Sequence, residues 1–262
     1  MSKSNRNREQ ARARIAQQRA AAARRRRRNR WLGGTAAAVV AAGAAAGITL
    51  AATGGSSGGG NPGTGGPARS ELTALSSLGR LQPAPAAGAL GPEGVPVPAA
   101  SPLTGTATIA TGRNMDGISC QTSEQTLFHI HAHLTVFVNG TPRQVPAGIG
   151  VPDSVAQQTA QGPFVASGKC FYWLHTHARD GIIHIESPVH RGYTLGEFFD
   201  EWGQPLSPAQ VGPARGHVTA IYNGKVFKGS PRDIPLTAHA QIQLEVGTPL
   251  IAPESITWPS GL

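Results

Sequence analysis

Phe128-His129-Ile130-His131-Ala132-His133-Leu134-Thr135-Val136-Phe137-Val138, closed by Asn139-Gly140, decides how the rest of this chain is read. Strand side chains alternate between faces. His129, His131 and His133 therefore project to one side, and Ile130, Leu134, Val136 and Val138 to the other. An imidazole row backed by an apolar row is the pattern of a half-buried strand. Asn-Gly after such a run marks a hairpin, because both turn residues need positive φ. Thr141–Val145 is the expected return strand.

Outward from this hairpin the same signals recur. Asn223-Gly224 separates His217–Tyr222 from Lys225–Lys228. Cys170–His177 and Ile182–Glu186 are joined by Ala178-Arg179-Asp180-Gly181 as a third hairpin. His239–Val246 sets Ala240, Ile242, Leu244 and Val246 against polar alternates, a strand with one buried face. One helix stands among these strands. Thr194-Leu195-Gly196-Glu197 fits a capping box, Leu195, Phe198, Phe199 and Trp202 make an apolar stripe, and Gly203 and Pro205 end it. The expected fold is α+β: a small β-rich domain of hairpins with one main helix, over residues 105–262, with a β-grasp-like order as a candidate topology.

The N-terminal part reads differently. The net charge is +9, yet residues 1–30 hold twelve Lys or Arg and one acid, which leaves eleven bases against thirteen acids in the remainder. The basicity belongs to a tail, and the domain has no basic excess from which to infer nucleic-acid binding. Trp31 to Thr53 is uncharged and rich in Ala, Gly, Val and Leu. Such a stretch is long enough to cross a hydrocarbon core of roughly 30 Å. The run Arg24–Arg28 plus Arg30 at its edge would keep residues 1–30 in the cytoplasm and send the C-terminal domain outside. A cleaved signal peptide is the competing reading, with the same consequence for the domain. Residues 54–104, rich in Gly, Pro and Ala, are expected to be a disordered linker. Leu72, Leu75, Leu78 and Leu81 within it suggest a short amphipathic helix.

Six of the nine histidines lie in two of the strand-like segments. If residues 178–181 form a four-residue loop, His175 falls opposite His184, with Cβ atoms roughly 4.5–5.5 Å apart. His175, His177 and His184 then share a face with Glu186. Alternate positions on one strand plus a cross-strand neighbour suit imidazole ligands to zinc or copper. The candidate metal ligands are His129, His131, His133, His175, His177 and His184. Glu186 and Asp180 are candidates for a further ligand or for acceptors of an imidazole N–H behind the ligands, and Trp173 a candidate wall. Whether the first row meets the second depends on how the strands pack. His190, His217 and His239 are isolated and read as structural or surface residues. Cys120 and Cys170, in the exported part, are open to three readings: a disulfide, a thiolate ligand from Cys170, or free thiols. Outside the Gly/Ser/Pro run of residues 54–66, the chain contains no His-Glu-x-x-His helix, no Gly-x-Ser-x-Gly elbow and no phosphate-binding glycine loop.

Gly117-Ile118-Ser119-Cys120, Phe128–Leu134, Val145–Gly150, Leu174-His175-Thr176-His177, Gly181–Pro188 and Thr194–Phe199 carry a resemblance. Through these stretches the chain resembles an uncharacterised group of membrane-anchored or exported bacterial and archaeal His-rich proteins, over roughly residues 91–262. In that group the second histidine pair is typically followed by aspartate. Here Ala178 stands at that position and Asp180 lies two residues on. The resemblance implies export and a single structural unit, and it implies no activity. Three functions follow from the residues: a membrane-anchored extracytoplasmic domain that binds copper or zinc; a metal-dependent enzyme with Glu186 as acid/base; and a structural or interaction domain whose histidines bind no metal.

Overall fold

The computed structural model describes residues 71–105 and 112–262. The basic tail, the predicted span 31–53 and the first part of the predicted linker lie outside the described residues. Among the described residues no helix is long and apolar enough to cross a membrane.

Eight strands form the main sheet: β1 (Glu71–Thr73), β2 (Phe128–Val138), β3 (Thr141–Arg143), β4 (Leu174–His175), β5 (Ile182–Ser187), β6 (Val218–Tyr222), β7 (Lys225–Lys228) and β8 (Ala240–Val246). Their order is β1-β7-β6-β8-β2-β5-β4, with β3 paired to the far end of β2. The two Asn-Gly turns form as expected. Asn139-Gly140 and Asn223-Gly224 all have φ between 49° and 73°, and they close Val138 on Thr141 and Tyr222 on Lys225. β8 runs parallel to β2, Ala240 opposite Ala132 through Val246 opposite Val138. That contact brings the last strand to the centre of the sheet.

One face of the sheet is the core. Ala132, Leu134 and Val136 of β2, Ile183 and Ile185 of β5, Leu174 of β4, and Ala240, Ile242, Leu244 and Val246 of β8 all point there. Helix α1 (Leu195–Trp202) covers them with Leu195, Phe198, Phe199 and Trp202, all fully buried. Full burial of each large side chain stabilises the fold by about 1.5–3 kcal/mol. The capping box is present: Thr194 Oγ1 accepts from the Glu197 N–H, and the Glu197 carboxylate accepts from the Thr194 N–H. Gly203 ends the helix in the left-handed conformation.

The opposite face carries the polar alternates. On β8 these are Gln241, Gln243 and Glu245; on β2, β5 and β4 they are the histidines and Glu186. The C-terminal segment crosses the β8 part. Residues 71–105, expected to be linker, also lie on the domain rather than away from it. Leu72 pairs with Phe227 at the sheet edge, Val95 is fully buried, and Gln82 bridges Ile251. The expected helix over Ser70–Leu81 is instead β1 followed by a 3-10 turn at Leu75–Leu78. An isolated helix of a dozen residues is marginal in water, whereas an open sheet edge offers β1 a row of hydrogen-bond partners.

Candidate metal centre

The strand registers build the site. β5 lies between β2 and β4. His131 pairs with His184 across one junction, and His184 with His175 across the other. His129 pairs with Glu186. The two histidine rows therefore meet in space, through His184. Two glycines permit the close packing. Gly181 (φ 85°) ends the 178–181 loop, where a Cβ would sit 2.3 Å from the Leu134 carbonyl oxygen. Gly150 (φ 70°) lies against β4, where a Cβ would sit 2.3 Å from the Leu174 carbonyl oxygen. Thr176 fixes the His-Thr-His run from behind: its hydroxyl donates to the Pro146 carbonyl and accepts from the Ile149 N–H.

Two sets of side chains are close enough to hold an ion. His129, His131, His184 and Glu186 form one, and His175, His177, His184 and Glu186 the other, with ligand atoms in each set within 4.8 Å of one another. His184 and Glu186 belong to both. Five of the six predicted histidines are thus brought together. His133 is not: its Nε2 donates to the Asp180 carbonyl at 2.8 Å. It faces a neighbouring cavity of about 330 Å³ whose lining includes Arg143, Arg179 and Asp180. The reason is its register position opposite Ile182, beyond the reach of Glu186. Trp173, read as a wall, belongs to the apolar core and packs edge-on to Tyr193.

The hydrogen bonds define tautomers. His175 Nδ1 lies 2.8 Å from the Tyr172 carbonyl, and His177 Nδ1 lies 2.6 Å from the Val165 carbonyl. A carbonyl oxygen only accepts, so both Nδ1 atoms carry the proton and both Nε2 atoms carry a lone pair. Those two Nε2 atoms face each other at 3.1 Å. Burial, and then the charge of neighbouring histidines, holds His175 well below its usual range and lowers His177 as well. Two neutral lone pairs at that distance repel unless a cation lies between them. A metal 2.0–2.1 Å from each nitrogen would subtend about 100°, within the range of common coordination angles. His129 and His131 repeat the spacing, Nε2 to Nε2 at 3.1 Å. Burial pushes His131 down to about 3, with His184 and His129 adding to the effect.

The carboxylates behave oppositely. Burial disfavours charge on His184, yet Glu186 Oε1 at 3.2 Å from Nδ1 and Glu93 Oε1 at 2.6 Å from Nε2 together hold it protonated in the metal-free chain, up to about 10, so an ion bound at either nitrogen must displace a proton. Burial also opposes charge on Glu186, but the hydrogen bonds from His129 and His184 drive its carboxyl well below the usual carboxylate range. Glu186 is therefore an ionised acceptor at neutral pH. Its Oε2 is buried and has no hydrogen-bond partner. Asp180, read as a candidate acceptor for an imidazole, instead faces Glu93. Burial, and then the Glu93 carboxylate, raise it to about 8.

Two acids escaped the sequence reading. Glu93 lies in the predicted linker and Glu124 in the loop before β2; Glu124 Oε1 stands 3.4 Å from His177 Nε2. Neither sits in a motif, and neither has a periodic neighbour to mark it. Cys120 and Cys170 form a disulfide. That removes the thiolate-ligand and free-thiol readings and ties the start of the Glu124 loop to the segment entering β4. The isolated histidines lie apart from the cluster: His190 packs tilted against Phe128, His239 stacks on Trp258, and His217 is exposed.

Fold and site together define an α+β, β-rich domain bearing a His/Glu cluster that can hold a metal ion. No family model, curated protein or solved structure matches the chain.

Proposed function

We propose that this protein binds a transition metal, copper or zinc, through the buried His/Glu cluster on the polar face of its sheet. The observation that carries the reading is the His175–His177 pair: two lone-pair nitrogens 3.1 Å apart, each ring locked from behind by a backbone carbonyl. Imidazole with a carboxylate suits zinc and copper, and backbone acceptors behind the ligands fix their orientation.

The domain is exported and tethered by the apolar stretch 31–53, with residues 1–30 inside, as in the group it resembles. The arginine run beside that stretch and the disulfide both support this reading. The membrane is then its one partner inferred from sequence. Isothermal titration of the purified chain with Zn(II) and with Cu(II) tests the metal reading. Saturable binding that is weakened or lowered in stoichiometry in His175→Ala/His177→Ala is the expected result. The absence of binding by either ion overturns it.

A further inference from the structure

The geometry points to a centre that holds two metal ions, bridged by Glu186. This inference rests on the metal-binding reading and goes beyond it in number and arrangement.

The ligands divide into two pairs on opposite sides of β5. His129 and His131 come from β2, His175 from β4 and His177 from the loop that follows it. Adjacent strands lie 4.7–4.9 Å apart, so β2 and β4 are separated by roughly 9.5 Å. Within each pair the Nε2 atoms are 3.1 Å apart, the edge of one coordination polyhedron. Each pair forms its own four-residue set, and the members common to both sets are His184 and Glu186. Both of these lie on the intervening strand.

Glu186 has the form of a bridge. Its Oε1 is 3.1 Å from His129 Nε2, on the β2 side. Its Oε2 is buried without any partner, a costly state for a carboxylate oxygen unless a cation meets it. A carboxylate with one oxygen on each ion suits metals 3.5–4 Å apart. The His184 ring stands edge-on to His131 at 4.6 Å and to His177 at 4.5 Å between centroids, so one imidazole touches both halves. Glu93 beside His184 and Glu124 beside His177 add carboxylates at the rim to offset the charge of a second ion.

The test is a count. All nine histidines lie at or beyond His129, so the N-terminal region adds no imidazole to the tally. The purified full chain is dialysed against excess Cu(II), and bound copper is measured per chain alongside its electron paramagnetic resonance spectrum. Two ions per chain are expected, with a spectrum of coupled Cu(II) and intensity well below that of two isolated ions. His129→Ala/His131→Ala and His175→Ala/His177→Ala should each retain one ion and show an uncoupled spectrum. One ion per chain in the unaltered protein overturns the two-ion centre and leaves metal binding standing. Two uncoupled ions overturn the bridge. No bound copper, together with no bound zinc, overturns both readings. The count and spectrum of the unaltered chain decide the matter even if a variant fails to fold.

Discussion

Two polar rows share the face of the sheet opposite the helix, and they end in opposite states. On β8, every polar side-chain atom of the row has a partner. Gln243 Nε2 donates to Glu245 Oε1 and to the Ile251 carbonyl, and its Oε1 accepts from the Glu254 N–H. Glu245 Oε2 accepts from the Ile251 N–H, and Gln241 accepts from the Ile256 N–H and donates to its carbonyl. That row pins the C-terminal segment to the sheet. On the neighbouring strands, His131, His175, His177, His184 and Glu186 are as deeply buried, but the Nε2 atoms of His175 and His177 face each other rather than backbone. Buried polar groups are normally satisfied. A row that closes its own hydrogen bonds is structural, and a row that leaves lone pairs facing each other and a carboxylate oxygen unmet is built for something outside the chain.

Four perturbations break or sharpen that contrast. The disulfide anchors the cover of the histidine half. Cys120→Ser/Cys170→Ser should lower stability by about 4 kcal/mol for a loop of this length, measured by urea denaturation. Hydrogen exchange should quicken around His175 and Glu124 before it does along β8. Equal quickening in both halves would remove the distinction. Next, His175→Ala/His177→Ala should remove one of the two bound ions, measured as bound metal per chain, and should lower metal-free stability by roughly 2 kcal/mol or more, because the Tyr172 and Val165 carbonyls lose their donors. The counterpart is Gln243→Ala. It orphans Glu254 N–H and the Ile251 carbonyl and should cost roughly 2 kcal/mol while leaving metal affinity unchanged. A loss of metal affinity in that variant would mean the rows are coupled.

The smallest effect concerns Glu201 of α1, a fully buried carboxyl raised well above its usual range, first by burial and then by Glu197 and Asp116. A raised carboxyl binds its proton more tightly in the folded state. Its contribution to stability is present below the unfolded value of about 4.5 and is lost as pH rises through the folded value. Glu201→Gln should therefore raise the melting temperature by a few degrees at pH 7–8 and leave it nearly unchanged at pH 4. No gain at neutral pH would show the carboxyl to be satisfied in place.

Much of this was legible in the sequence where local chemistry decides. Both Asn-Gly hairpins, the Thr194 capping box and the register of His175 opposite His184 follow from turn residues and alternation over short distances. The parallel pairing of β8 with β2 was not legible, because residues more than a hundred positions apart leave no local mark of their contact. The same holds for Glu93 and Glu124. The composition of residues 83–105 reads as linker, yet Glu93 reaches His184, because proline-rich chain can lie in extended form along a surface whose polar groups it satisfies. The inclusion of His133 in the ligand set failed for the opposite reason. Alternation placed it on the correct face, but ligand distance depends on what stands across the strand, and there it is Ile182.

Anomalous diffraction from crystals grown with equimolar or greater Zn(II) and measured at the zinc edge tests the central claim most directly. The account predicts an anomalous peak about 2.0–2.1 Å from both His175 Nε2 and His177 Nε2. Well-ordered density for both imidazoles with no anomalous peak between them would contradict it.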